Sequence, residues 1–358
     1  MSERISPEDL ENAKALQSKH LVFDCHSDIP LLDLYPRHLR GETDVMRRVQ
    51  LPRHKEGRVN GAIFTVACDC MKWATQYAGA LKETLEEIDY VYAEEMESMG
   101  AFTVVKTGTE LESAWKNGKF GAFMGLEGGK AIEGSLEALR CLYRLGVRSF
   151  GMTHNVRNQL ADGAGVKENY GLTDLGRKVV EEVDKLHMVL DLVHLSEKGY
   201  YDAIETSKNT PIISHTACKD VNPFDHGKVP WRNVTDKQIE KLGDKGGVMG
   251  IAFLKAFVTD KQEATVDDVI RHLEHAIQII GIDHVGIGPD FIDYGLRENQ
   301  LLLGGMDPLG PEYDTKGVEN IMKIPYFTAA LMKKGYSETE LSKILGGNFL
   351  GLFKHVLG

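Results

Sequence analysis

Near the N-terminus an apolar run, Leu21-Val22-Phe23, leads into Asp24-Cys25-His26-Ser27-Asp28. In an extended chain, side chains two apart point to one face. His26 and Asp28 would therefore converge, offering a neutral imidazole and a carboxylate to a cation such as Zn²⁺. For that pair alone, a structural hydrogen bond between a buried His and an Asp is the plainer reading. Four more residues of this kind follow apolar runs. Glu127 sits in Gly125-Leu126-Glu127-Gly128-Gly129, where glycines permit tight backbone geometry and the carboxylate can bridge two metals. Its bland alternative is a capping Glu in a Gly-rich turn. His194 ends Met188-Val189-Leu190-Asp191-Leu192-Val193, and His215 ends Pro211-Ile212-Ile213-Ser214. Asp290 closes His284-Val285-Gly286-Ile287-Gly288-Pro289.

To bring such residues together the chain needs strands of a common direction. Short runs rich in apolar and β-branched residues at 21–28, 60–68, 119–126, 147–153, 188–193, 211–215, 247–253 and 284–289 read as eight of them. Amphipathic segments at 74–98, 135–144, 173–186, 197–207, 235–243, 265–279, 318–334 and 337–355 read as helices. Thr173, Ser196 and Thr235 are candidate N-caps, and 101–105 is either an extra short strand or a turn. The alternation predicts an α/β fold: a (β/α)₈ TIM-type barrel with additional C-terminal helices. It would span 1–358 as a single metal-dependent hydrolase domain, with an N-terminal helical extension over 1–18. An open doubly wound sheet is the competitor. In a barrel, the C-terminal strand ends meet in one pocket. His26, Asp28, Glu127, His194, His215 and Asp290 all fall at such ends and none at the opposite mouth. Residues of purely structural use would scatter, so the set together points to a metal site.

The rest of the chain narrows the class. Its 358 residues are 42% hydrophobic and 27% charged, an ordinary globular balance. A net charge of -11 and a pI near 5.7 speak against a general nucleic-acid or anionic-membrane surface. No apolar stretch approaches membrane-spanning length, and the first twenty residues lack an apolar signal core. Five cysteines, an odd number, suit a reducing compartment, so a cytoplasmic protein is expected. His272 and His275 lie three apart on a helical segment among Arg271 and Glu274, which predicts a solvated face. His187 and His284 begin strands, at the wrong mouth. Cys68-Asp69-Cys70 lacks the second Cys pair of a zinc ribbon, although Cys68, ending the second strand, can line the pocket. There is no dinucleotide fingerprint, Walker A sequence, Gly-x-Ser-x-Gly elbow or His-Glu-x-x-His helix.

From about residue 19 onward the chain resembles the renal (membrane) dipeptidases of the metal-dependent amidohydrolase superfamily. The resemblance is carried in order by DCHSD, GLEGG, MTHNVRN, DLVHLS, PIISHT, RNVTD, HVGIGPDF and ILGGNFL. It implies that His26, Asp28 and Glu127 hold one zinc, and that Glu127, His194 and His215 hold the other. A hydroxide between the two metals would be the nucleophile. Asp290 matches the family's catalytic acid/base. His154, in Met152-Thr153-His154-Asn155, matches a residue that contacts the substrate carbonyl and steadies the tetrahedral intermediate. Arg232, in Trp231-Arg232-Asn233-Val234, matches the clamp on the substrate's C-terminal carboxylate; without the resemblance it reads as a surface loop charge. The chain departs from the family pattern around the site. Pro289 and the sequence Phe291-Ile292-Asp293-Tyr294-Gly295 flank Asp290 where the family has Gly-Ser-Asp-Phe-Asp-Gly. Thr65-Val66-Ala67-Cys68 is less aromatic than usual, Phe253-Leu254 lacks a frequent Tyr, and Gly351 replaces a common Arg. None of these removes a metal ligand, but they bear on specificity.

The resulting expectation is a zinc-dependent dipeptidase carrying two zinc ions or other divalent metals. Its substrates would be free dipeptides, L,D-dipeptides among them, and the family tendency is to form homodimers. An N-acyl amino acid deacylase or related amidohydrolase would use the same residues. A non-catalytic metal-binding homologue and a metal-free barrel lyase are the rivals of other classes, with loss of activity on chelation separating the last.

Overall fold

A computed structural model describes residues 5–69, 79–222, 232–292 and 313–358. Cys70, Trp231, residues 293–312 and the first part of the expected helix over 74–98 lie outside them. The strands are β1 (Phe23–Ser27), β2 (Gly61–Cys68), β3 (Phe102–Val104), β4 (Phe120–Glu127), β5 (Val147–Gly151) and β6 (Val189–Asp191). They are followed by β7 (Ile212–Thr216), β8 (Val248–Ile251), β9 (Ala264–Thr265), β10 (Val285–Ile287) and β11 (Thr315–Lys316). Eight of them run parallel in the order β1-β2-β4-β5-β6-β7-β8-β10, a nearly closed (β/α)₈ barrel rather than an open doubly wound sheet. The 101–105 alternative resolves as β3, which pairs with β4 outside that ring. β9 and β11 form a separate small ribbon.

All eight expected strands lie where the apolar runs place them, because a strand covered on both faces must be apolar throughout. Every residue of β2 and of β4 is buried. Thr173, Ser196 and Thr235 each cap a helix by accepting a backbone N–H through the side chain. Helix Pro7–Gln17 opens the chain with a capping box at Ser6.

The opposite end of the barrel is sealed by aromatic packing. Phe353, from helix Asn348–Val356, lies 5.3 Å from Phe23 and 4.8 Å from Phe123, centroid to centroid. Two glycines set the curvature near β7: a Cβ on Gly250 or on Gly288 would stand 2.0 Å or 1.8 Å from the Ser214 carbonyl oxygen. Only glycine permits that approach.

Two expectations need correction, and one connection went unread. The segment 337–355 is not one helix: Glu338–Ser342 and Asn348–Val356 are separated by a π turn, Lys343–Gly347, broken at Gly346. Gly346 presses against the Leu21 carbonyl, which leaves no room for a side chain. The connection from β1 to β2 holds helical turns that no periodicity announced, at Pro30–Leu34, Tyr35–Leu39, Met46–Gln50 and Leu51–Gly57. His272 is not solvated. It is fully buried, its Nδ1 accepting from the Cys218 N–H and its Nε2 facing the Val258 carbonyl. Its face of helix Val266–Ile280 is covered by the chain after β7, a long-range contact that a local charge pattern does not reveal.

Candidate active site

At the C-terminal mouth the β-strand ends converge. The β1–β2 register shifts between Asp24 and Ser27, a local irregularity of the kind that re-aims side chains at barrel rims. There the His26 Nε2 stands 3.3 Å from the Asp28 Oδ1 and 3.7 Å from the Glu127 Oε1. Glu127, the last residue of β4, also lies 2.8 Å from the His194 Nε2 and 3.4 Å from the His215 Nε2. Asp290 approaches from beyond β10, one oxygen 3.9 Å from the His26 Nε2 and the other 3.9 Å from the His215 Nε2. His194 and Asp290 hold φ values of +62° and +59°. Non-glycine residues rarely adopt that left-handed region, and such conformations cluster at functional sites.

Four overlapping groups among the described residues could hold a cation, His26 with His215 and Asp290 and Cys68 with Glu127 and His154 among them, and two of the four match the expected donor sets. His26, Asp28 and Glu127 offer ligand atoms all within 4.8 Å of one another, and so do Glu127, His194 and His215. Glu127 belongs to both. The His26 Nε2 and the Asp28 Oδ1 are buried without a hydrogen-bond partner, a costly state for groups so well suited to a cation. The other imidazole nitrogens are engaged: the His194 Nδ1 is 2.8 Å from the Asn155 Oδ1, and the His215 Nδ1 is 2.9 Å from the Ser214 Oγ. As Asn155 Oδ1 can only accept, His194 carries its proton on Nδ1 and leaves Nε2 free to ligate.

The electrostatics agree. Burial opposes a charged His26, yet the Asp28, Glu127 and Asp290 carboxylates raise it to about 10. So much negative charge around one point is what a divalent cation would compensate. His194 and His215 are held well below the ordinary value by desolvation, then by Arg232 for the first and His26 for the second. Both are thus neutral, as metal ligation requires. Burial also raises Asp290 to about 7. The residues present fit a pair of divalent metal ions.

His154 and Arg232 complete the site. The His154 ring lies 4.2 Å from the His194 ring, and desolvation followed by the Arg232 charge pushes it down to about 3. Arg232 is buried rather than a surface loop charge. It donates from Nη2 to the His215 carbonyl at 2.9 Å and stands 3.2 Å from the His194 Nε2. Cys68 lines the site, its sulfur within 4.8 Å of ligand atoms of Glu127 and His154, and it is disulfide-bonded. Sequence reasoning missed Asn155 and Ser214, although each adjoins a histidine of the set.

A sequence model of the membrane dipeptidase family (Peptidase family M19) matches residues 10–300 and 303–357. An uncharacterized dipeptidase of Schizosaccharomyces pombe is 30% identical over 93% of this chain and 80% of its own length. The crystal structure of dipeptidase AC, a metallo peptidase of the same family, is 27% identical, with a TM-score of 0.80 over 95% of this chain and 99% of that one. A metallo peptidase from Rhodobacter sphaeroides, solved with a phosphinate mimic of the dipeptide L-Ala-D-Ala, is 26% identical. Its TM-score is 0.79, over 94% of this chain and 99% of that one.

Proposed function

The chain belongs to the membrane dipeptidase family and is a metallopeptidase, and we propose that it hydrolyses free dipeptides at a two-metal site bridged by Glu127. The observation that carries this reading is the pair of donor sets sharing one carboxylate. His26 and Asp28 would hold one cation and His194 and His215 the other, with zinc favoured by the nitrogen-rich donor set. Bound there, the cations would lower the pKa of water toward neutrality and polarise the scissile carbonyl.

The chain's own groups do the rest. Asp290, with its raised pKa, takes a proton from the attacking water and delivers it to the leaving nitrogen as the C–N bond breaks. His154 is neutral at physiological pH, so one ring nitrogen can donate to the carbonyl oxygen as negative charge develops on it. Arg232 offers its guanidinium to the substrate's terminal carboxylate. L,D-dipeptides are the stereochemical class we favour, given the ligand of the Rhodobacter sphaeroides relative.

Hydrolysis of free dipeptides against their N-acylated counterparts, with zinc-loaded protein, tests the substrate class. Higher kcat/KM on the free form supports a dipeptidase. Preference for the blocked form would make the protein an N-acyl amino acid deacylase instead.

A further inference from the structure

Asp69 follows the last residue of β2, beside the site yet outside both donor sets. It is only 2% exposed, and its carboxylate is fully engaged. One oxygen accepts from the Lys130 backbone N–H at 2.9 Å and the other from the Asn158 Nδ2 at 2.8 Å. Asp69 also donates its own N–H to the Glu127 carbonyl at 3.0 Å. Asn158, 5% exposed, has no spare capacity either. Its Nδ2 also donates to the Met152 carbonyl at 2.8 Å, and its Oδ1 accepts from the Leu160 and Ala161 N–H groups at 2.7 and 3.1 Å.

These bonds cross between two strand ends. Those at Glu127 and Lys130 fix the loop carrying the shared carboxylate. The bond from Asn158 to the Met152 carbonyl fixes the loop carrying the imidazole, two residues before His154. The backbone makes room for the junction: Gly128 has φ +128°, and a Cβ there would stand 2.2 Å from the Asp69 carboxyl carbon. A buried acid that pairs a backbone N–H with a buried side-chain amide is suited to fixing geometry, since leaving either donor unpaired is costly.

We infer that Asp69 and Asn158 are positioning residues that hold His154 in register with Glu127. The inference rests on the proposed function for its catalytic consequence, but the tethering is measurable without it. Asp69→Asn keeps the shape and replaces one acceptor oxygen by a donor, which must then face a donor. Asn158→Ser removes the other half.

The test combines two readouts on the full, zinc-loaded chain. By hydrogen exchange, the amides of 127–130 and 152–155 should exchange at least about tenfold faster in either variant, with remote helices unchanged. By kinetics, either variant should lower kcat about tenfold or more with KM nearly constant. In a His154→Ala background the same change should cost clearly less kcat than in the parent. Unchanged exchange at these loops would overturn the inference. So would equal losses of kcat with and without His154, or failure of both variants to fold, which would make the pair a requirement of the fold alone. If the parent protein cleaves no dipeptide, the proposed function fails, and the exchange readout still decides the tethering.

Discussion

Glu127 sits among three imidazoles, and the proposed chemistry depends on which neighbours it shares. Asp290 forms a further group with His26 and His215, but shares none with Glu127, and the proposed function gives it the proton transfer rather than a metal. Asp290→Asn should therefore keep both metals while kcat falls about 10²–10⁴-fold, the usual weight of a general acid/base. Metal analysis beside steady-state kinetics checks this; full activity in a zinc-replete variant would remove Asp290 from the mechanism. A second acid makes a prediction about stability. Glu87, on helix Ala80–Glu97, is 1% exposed and neither of its carboxyl oxygens has a hydrogen-bond partner. Desolvation, with the nearby charges of Glu83 and Asp28, holds its carboxyl well above the ordinary range. The folded chain thus keeps a proton that the unfolded chain releases above about pH 4.3. Stability present in acid is lost as pH rises from the unfolded pKa toward the folded one. Glu87→Gln removes this titration. In chemical denaturation it should match the parent near pH 4 and gain on it by up to about 1.4 kcal/mol per pH unit above that, until the folded pKa is reached.

At the scale of elements, the glycines beside Ser214 fix how tightly β8 and the end of β10 close around β7. Gly288→Ala or Gly250→Ala places a methyl carbon on a backbone carbonyl that cannot yield without parting the strands. Each should cost about 3 kcal/mol or more, read as a lowered thermal midpoint or loss of soluble protein. A small effect would mean that the barrel seam is looser than drawn. Strand ends were the most legible part of the sequence. A β-branched run buried on both faces is legible from composition, and a His or acid at its end is legible from position. The turns between Pro30 and Gly57 were not, because they are shaped by contacts with helix Ala80–Glu97 and, for Leu51–Gly57, with Ile321–Lys323 rather than by their own periodicity. The burial of His272 was hidden for the same reason. Asp69 was visible only as the middle of Cys68-Asp69-Cys70, since its partners lie about sixty and ninety residues away.

For the whole molecule, the barrel brings six residues spread from position 26 to position 290 to one mouth. Their order in the chain made the site legible; the side chains that orient them were not, because they act at right angles to the strand pattern. No helix among the described residues is long and apolar enough to cross a membrane. A site so rich in buried, mutually repelling carboxylates links metal binding to the rest of the fold. Any cation held only by the native state stabilises it in proportion to the logarithm of its free concentration. The most direct measurement is a zinc titration of demetallated protein, following hydrolysis of a free dipeptide. The shared Glu127 predicts activity that reaches its plateau at two zinc ions per chain. A plateau at one ion, or activity undiminished by chelation, would contradict it.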